Sequence, residues 1–176
     1  MSYTPFDQCA RSVWRALETL TLLRQRRAIT ADTVADIRRH RRTADISLQS
    51  TFRELRRAFL TPIDRDEVLL LRQLTEQVAT AAEDCVLSLY RSGHTALHGD
   101  AHALLVAVTD ECTALHEALL SLSGYPRSDA ILHQLTEAER RHRTTQETGA
   151  FPPLIALSAA CHRVSEALRR ILLTMT

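Results

Sequence analysis

The chain has no lysine and no asparagine, and its 176 residues include only four glycines and five prolines. It also lacks the long alternation of apolar and polar residues that strands require. Alanine, leucine, arginine and glutamate, which favour helix, are abundant instead. Because 45% of the residues are hydrophobic, the composition argues against a disordered chain and predicts a single all-α domain over residues 1–176.

Sequence features of an enzyme, a membrane span or an exported protein are also missing. There is no glycine-rich phosphate loop, no G-x-S-x-G and no H-E-x-x-H motif, so we expect neither catalysis nor a cofactor. The N-terminus lacks the apolar core of a signal peptide, and no uncharged apolar run of about 18 residues exists. Cys9, Cys85, Cys112 and Cys161 fall on apolar helical stripes, which predicts buried free thiols in a reducing cytoplasm.

The absence of lysine leaves arginine at all 22 basic positions. Guanidinium groups suit phosphate and nucleic acid, but we interpret the bias as the codon preference of a GC-rich genome. The charge is uneven, although the net charge is only +1. Residues 24–57 carry ten arginines against four acids, whereas residues 58–120 carry three arginines against ten acids. This asymmetry bears on docking and not on the fold.

Apolar residues recur at steps of three and four along six segments, which predicts six amphipathic helices. Their predicted starts are Pro5, Asp32, Asp64, Asp100, Ser128 and the FPP sequence at 151–153. The second helix is long and is expected to stop at about Leu60, ahead of Pro62. Similar corners, FLTP and FPP, precede the third and sixth helices. We therefore expect a bundle of two three-helix repeats, residues 5–91 and 100–174.

The corner at residues 59–68, FLTPIDRDEV, is the most distinctive motif of the sequence. Pro62 disfavours helix at Thr61, and Asp64 and Glu67 have the spacing of a capping box. The motif follows a long helix containing ADISLQSTFREL, and together they resemble the PhoU-like phosphate-transport regulators. The resemblance is closest to the small cytosolic proteins that accompany Pit-type phosphate permeases, which typically carry Thr-Pro-Ile-Asp-Arg-Glu-Asp-Ile at this corner.

This resemblance covers nearly the whole chain. It implies a six-helix PhoU-like bundle and a non-enzymatic, cytoplasmic regulator of phosphate uptake. It also implies that the partner is a phosphate permease, bound at its cytosolic face. The sequence leaves open whether the protein touches the inner face of the membrane, whether it forms a homo-oligomer, and whether it activates or inhibits transport.

Members of this family hold surface metal clusters with acidic Glu/Asp-x-x-x-Asp pairs, and this chain departs from each pair. The matching positions are Arg41 and Asp45 in the second helix, Glu76, Gln77 and Thr80 in the third, and about Thr136 and Arg140 in the fifth. No acid remains near LSAACHR in the sixth. We therefore expect no metal cluster of the family type. For Arg41, two arrangements are open, a pair with Asp45 or a side chain that reaches water, and we favour the second.

The partner-binding residues that we predict are five arginines of the second helix: Arg38, Arg39, Arg42, Arg56 and Arg57. The near-neutral net charge and the 5% aromatic content argue against nucleic acid as the partner. A merely solvated basic face, or docking to an acidic protein loop or anionic lipid headgroups, are the remaining interpretations.

Two alternatives to phosphate regulation stay open. One is a metal-binding bundle with ligands unlike those of the family, drawn from Asp45, Glu76, His94, His98 and His102. The histidines are spaced by four, but glycines flank and interrupt the series, which favours a solvated loop. The other alternative is a general interaction scaffold unrelated to phosphate.

We expect two pairs of adjacent acids and the single tryptophan to have structural roles. The adjacent acids Glu83–Asp84 and Asp110–Glu111 point to different helix faces, so we interpret them as surface charge. Trp14, in the first helix, is expected to be a packing residue and not a platform for a ligand.

Overall fold

The computed structural model describes residues 5–57, 63–122, 128–145 and 151–174. These residues form six α-helices: α1 Pro5–Arg24, α2 Ala31–Arg57, α3 Arg65–Ser92, α4 Gly99–Leu122, α5 Ser128–Thr145 and α6 Pro152–Thr174. No strand occurs in these ranges, and the predicted all-α class is confirmed. None of the helices described is both long enough and apolar enough to cross a membrane.

Four helices form the centre of the bundle, and two lie outside it. α3 packs between α1 and α6, and α1 also packs against α4. Of the outer helices, α2 lies mainly on α3 and α5 mainly on α4. The outer helices are the two most polar of the six. Because a narrow apolar stripe can bury only one side of a helix, such helices are excluded from the centre.

The buried faces of α3 and α6 repeat at one constant spacing along the sequence. Val68, Leu71, Val78 and Val86 of α3 correspond in this way to Leu154, Leu157, Val164 and Leu172 of α6. The two helices pack against each other in the middle of a core that is continuous through both halves. The predicted pair of three-helix repeats stays a prediction.

The ends of α3 lie where the sequence predicted them. Asp64 is the N-cap, and its Oδ1 accepts a hydrogen bond from the backbone N–H of Asp66 at 3.0 Å. Gly93 is the C-cap, with a left-handed φ of 71°, and its N–H donates to the carbonyl of Tyr90 at 3.3 Å. Residues 58–62 lie outside the described residues, and with them the predicted end of the second helix and the turn at Pro62.

All four cysteines are free and buried, as predicted. The thiols of Cys112 and Cys161 face each other between α4 and α6, with their sulfur atoms 3.5 Å apart. Burial raises the pKa of Cys9 to about 11. Cys9 therefore acts as a small core residue, because its reactive thiolate form is disfavoured.

Candidate functional site

A cluster of charged side chains holds α2 against the rest of the bundle. On α3, Glu76 and Glu83 are two turns apart and therefore lie on one face. Arg15 of α1 binds both, since its Nη2 pairs with Glu76 Oε1 and its Nε donates to Glu83 Oε1 at 2.8 Å. From α2, Arg41 Nε donates to the other oxygen of Glu83 at 2.8 Å. Glu83, with a side chain only 1% exposed, is thus shared by two guanidinium groups from two helices.

Arg41 makes two further contacts on α3. Its Nη2 donates to Asp84 Oδ1 at 2.6 Å and to the carbonyl of Thr80 at 3.0 Å. Both arrangements considered from the sequence are therefore wrong: Arg41 pairs with α3 and not with Asp45, and it does not extend freely into water. Burial alone would lower the pKa of Arg41, but Asp84 and Glu83 outweigh it and raise the pKa.

A second set of buried polar side chains, also between α1 and α3, extends the charged cluster. Arg72 Nη1 donates to Ser12 Oγ at 2.8 Å and to Glu76 Oε2 at 3.2 Å. Ser12 Oγ also lies 3.0 Å from the same carboxylate oxygen. Burial alone would raise the pKa of Glu76, but Arg15, Ser12 and Arg72 stabilise the carboxylate, so its pKa lies below the usual value. Glu76 is therefore an anion that is already matched by cations of the chain itself.

The interpretation of the adjacent acids as surface charge is wrong for one member of each pair. Glu83 and Glu111 are each 1% exposed, whereas the side chain of Asp84 is 54% exposed. The spacing of Glu83, two helical turns after Glu76, did indicate that the two acids lie on one face of α3. The burial of Glu83 was not predicted because α3 packs against three helices, α1, α2 and α6. A wider arc of the α3 surface is therefore buried than its apolar stripe suggests.

Trp14 also differs from its expected role as a packing residue. Its side chain is 51% exposed, and its ring lies against His116 of α4 with the centroids 5.3 Å apart. One part of the indole is therefore covered by the bundle, and the rest is available at the surface.

The second half of the chain contains a separate buried polar cluster. Ser158 Oγ of α6 is hydrogen-bonded to His142 Nδ1 of α5 and lies 3.4 Å from Glu111 Oε2 of α4. Burial raises the pKa of Glu111 to about 8. Burial, together with the neighbouring His162, lowers the pKa of His142. At neutral pH both groups are mainly uncharged, and the cluster is a hydrogen-bonded part of the core.

These three residues do not have the geometry of a hydrolytic triad. In such a triad, the serine and the acid bind opposite nitrogens of the histidine ring. Here the carboxylate of Glu111 lies 3.7 Å from Nδ1 of His142, the same nitrogen that Ser158 approaches most closely. Ser158 is also 1% exposed, so no substrate reaches its hydroxyl.

The predicted docking arginines lie on the outer helix. Arg38, Arg39, Arg42 and Arg56 are exposed on α2, and the side chain of Arg57 lies outside the described residues. Arg39 pairs with Asp36 on the same helix at 3.1 Å. Their role in binding a partner stays a prediction.

The histidine series is not a single helical face. His94 and His98 are exposed in the connection between α3 and α4, whereas His102 is in the first turns of α4. Asp45 is exposed on α2. Within the part of the chain that the structure describes, no three His, Cys, Asp or Glu side chains are arranged to hold a metal ion.

No protein-family model and no curated protein matches the sequence. The structure is similar to a crystal structure from Shewanella oneidensis MR-1 described as that of a PhoU-like phosphate regulatory protein. The two share 14% sequence identity with a TM-score of 0.55, and the match covers 98% of this chain and 97% of that chain. The likeness concerns the fold, and it shows that this chain is a six-helix PhoU-like bundle.

Proposed function

We propose that this chain is a non-enzymatic regulator of inorganic phosphate uptake that docks on the cytosolic face of a Pit-type permease. The observation that carries the proposal is the PhoU-like fold, shared over 98% of the chain with a protein described as a phosphate regulatory protein. The TPIDRDEV sequence at 61–68 favours the Pit-associated branch. The protein would then act in the cytoplasm, next to the membrane.

The outward face of α2 is the docking surface in this proposal. It presents Arg38, Arg39, Arg42 and Arg56 to solvent. The ion pairs of Arg41 with Glu83 and Asp84 fix the helix to α3, so the arginines are presented on a rigid support. A basic helical surface of this kind complements an acidic cytosolic loop and is expected to speed and orient association.

The mechanism would be stoichiometric. A bundle that binds one conformation of the permease more tightly than the other shifts the balance between them by the ratio of the two affinities. The chain supplies only binding free energy, and no bond is made or broken. The sign of regulation then depends on which conformation the docking face fits.

A pull-down of the permease in detergent tests the docking surface. We expect the triple variant Arg38→Gln, Arg39→Gln, Arg42→Gln to weaken binding about tenfold or more, with a loss of its salt dependence. The matched control removes three exposed arginines from other helices, Arg91→Gln, Arg163→Gln and Arg170→Gln, and is expected to bind like the unmodified protein. Equal, salt-insensitive binding by all three proteins would refute α2 as the docking surface.

Elemental analysis separates this proposal from the metal-binding alternative. Protein purified without an affinity tag is expected to contain iron and zinc far below one atom per chain. Stoichiometric metal would favour the alternative reading.

A further inference from the structure

Grooves run along both sides of α2. The groove toward α1 has a volume of about 520 Å³ and contains His40 and Ser47 of α2. The groove toward α3 has a volume of about 450 Å³ and lies between Leu48 of α2 and Gln73 and Gln77 of α3. The helix therefore touches the bundle along a narrow strip, whereas helices whose side chains interdigitate are in contact over their whole facing surfaces.

The strip by which α2 touches the bundle contains few apolar side chains. Within the 27 residues of the helix, the buried apolar side chains are Val34, Ile37, Ala44 and Leu55. The shorter helix α6 buries leucine, isoleucine, valine and cysteine side chains along its whole length. Because the free energy of burial follows the apolar area, separation of α2 from the bundle is opposed less than separation of a central helix.

The charged side chains that α2 covers have partners on α1 and α3. Arg15 of α1 pairs with both Glu76 and Glu83 of α3, and Arg72 of α3 pairs with Glu76. When α2 separates, Glu83 loses Arg41 but keeps Arg15, and water reaches all of these groups. Breaking a buried ion pair is costly chiefly because it leaves a buried charge unmatched, and the separation of α2 avoids that penalty.

Polar contacts hold α2 in its closed position. Arg41 Nε donates to Glu83 at 2.8 Å, and its Nη2 donates to Asp84 at 2.6 Å. Farther along the helix, Thr51 donates a hydrogen bond to Gln8 of α1. Because contacts with water replace these contacts when the helix leaves, they fix the closed helix firmly but add only a modest net free energy.

We propose that α2 opens as a unit, separating from α1 and α3 while the four central helices stay folded, and that Arg41 is its latch. The central helices share a continuous apolar core, so they retain most of their packing in the open form. Because a helix without tertiary contacts is marginally stable in water, the amides of α2 lose their protection when it separates. The docking arginines lie on this helix, so a partner that binds them favours one of its two positions.

Hydrogen exchange of the protein alone, followed by mass spectrometry, tests the opening. We expect the amides of residues 36–52, which lie away from the ends of α2, to have protection factors at least about tenfold lower than those in the middle of α4 and α6. At low concentrations of urea the exchange of α2 should change little, because opening exposes little surface, whereas the exchange of α4 should accelerate. No permease is present, so failure of the docking surface and failure of the opening are separate results.

Substitutions distinguish opening of α2 from unfolding of the whole chain. Val164→Ala removes methyl groups from the core face of α6 and weakens the closed and open forms equally. It is therefore expected to lower the protection of α4 by about tenfold and to leave that of α2 unchanged. Arg41→Gln weakens only the closed form and is expected to lower the protection of α2 by about tenfold. Arg39→Gln is the control, because Arg39 is exposed and pairs with Asp36 on the same helix, and it should leave α2 unchanged.

Equal protection of α2 and α4 in the unmodified protein would overturn the proposal. Equal losses in both helices for Val164→Ala would also overturn it, because α2 would then exchange only when the whole chain unfolds. Unchanged protection of α2 in the Arg41→Gln variant would overturn the role of Arg41 as the latch.

Discussion

Arg41 of α2 lies 2.8 Å from the buried carboxylate of Glu83 of α3, and Arg15 of α1 holds the other oxygen of that carboxylate at the same distance. Three helices thus meet at one side chain. α2 has the lowest mean hydropathy of the six helices and lies outside the centre of the bundle. We therefore expect the attachment of α2 to depend on this ion pair more than the attachment of α1 or α6 does.

Removing the carboxylate of Glu83 is expected to destabilise the protein strongly. Glu83→Gln leaves Arg15 and Arg41 without their shared anion in a buried position, so we expect a loss of about 2–3 kcal/mol in the free energy of unfolding. The neighbouring Asp84→Asn is the control, because its side chain is 54% exposed, and it should cost less than about 1 kcal/mol. Urea unfolding of both variants measures the difference. Similar losses for the two would show that Glu83 has no special role.

Glu111 is expected to make the protein less stable as the pH rises from 6.5 to 8. Its pKa in the folded protein is about 8, against an ordinary value of 4.5. The folded state keeps a proton that the unfolded chain releases, so this stabilisation is complete below pH 4.5 and is lost as the pH rises through 8. His142, with its lowered pKa, has the opposite effect only below its ordinary value of 6.5.

Glu111→Gln tests this pH dependence. The amide has no proton to lose, so the variant is expected to be more stable than the unmodified protein at pH 8, by on the order of 3 kcal/mol. Between pH 6.5 and 8 its stability should be nearly flat. Urea unfolding at three pH values gives both slopes. Parallel slopes for the two proteins would assign the pH dependence to other groups.

The cysteines are expected to be unreactive in the folded protein. All four are buried, and burial raises the pKa of Cys9 and Cys85 above the usual range. We therefore expect Ellman's reagent to label none of the four thiols within minutes in buffer and all of them in denaturant. Absorbance at completion counts the thiols. Rapid labelling of even one thiol in the folded protein would contradict the buried arrangement.

The C-cap of α3 is expected to tolerate asparagine better than alanine. Gly93 has a φ of 71°, and a Cβ built there has no neighbouring atom within 4 Å. The cost of a side chain is therefore conformational only, about 1 kcal/mol for Gly93→Ala. Asparagine tolerates the left-handed region, so Gly93→Asn should cost roughly half as much. Thermal unfolding ranks the three proteins, and equal Tm values for alanine and glycine would contradict the assigned cap.

Local features of the sequence predicted the positions of the helices well, but they did not predict which side chains pair between helices. The stripe of apolar residues placed α3 and α6, and the Asp64 cap and the Gly93 cap placed the ends of α3, because these signals act over one or two turns. Arg41 shows the limit of such reasoning. The acid within one turn of it along the sequence was Asp45, but its carboxylate partners come from α3, about forty residues later.

The sequence by itself determined the class of fold, the number of helices and the burial of the cysteines, because hydrophobic periodicity and capping are properties of neighbouring residues. The TPIDRDEV motif also predicted the PhoU-like fold. Only the tertiary structure decided that Glu83 and Glu111 are buried and that Arg41 pairs with carboxylates of α3. These features arise where helices distant in sequence approach each other, and the distances and desolvation that set charge pairing exist only after packing.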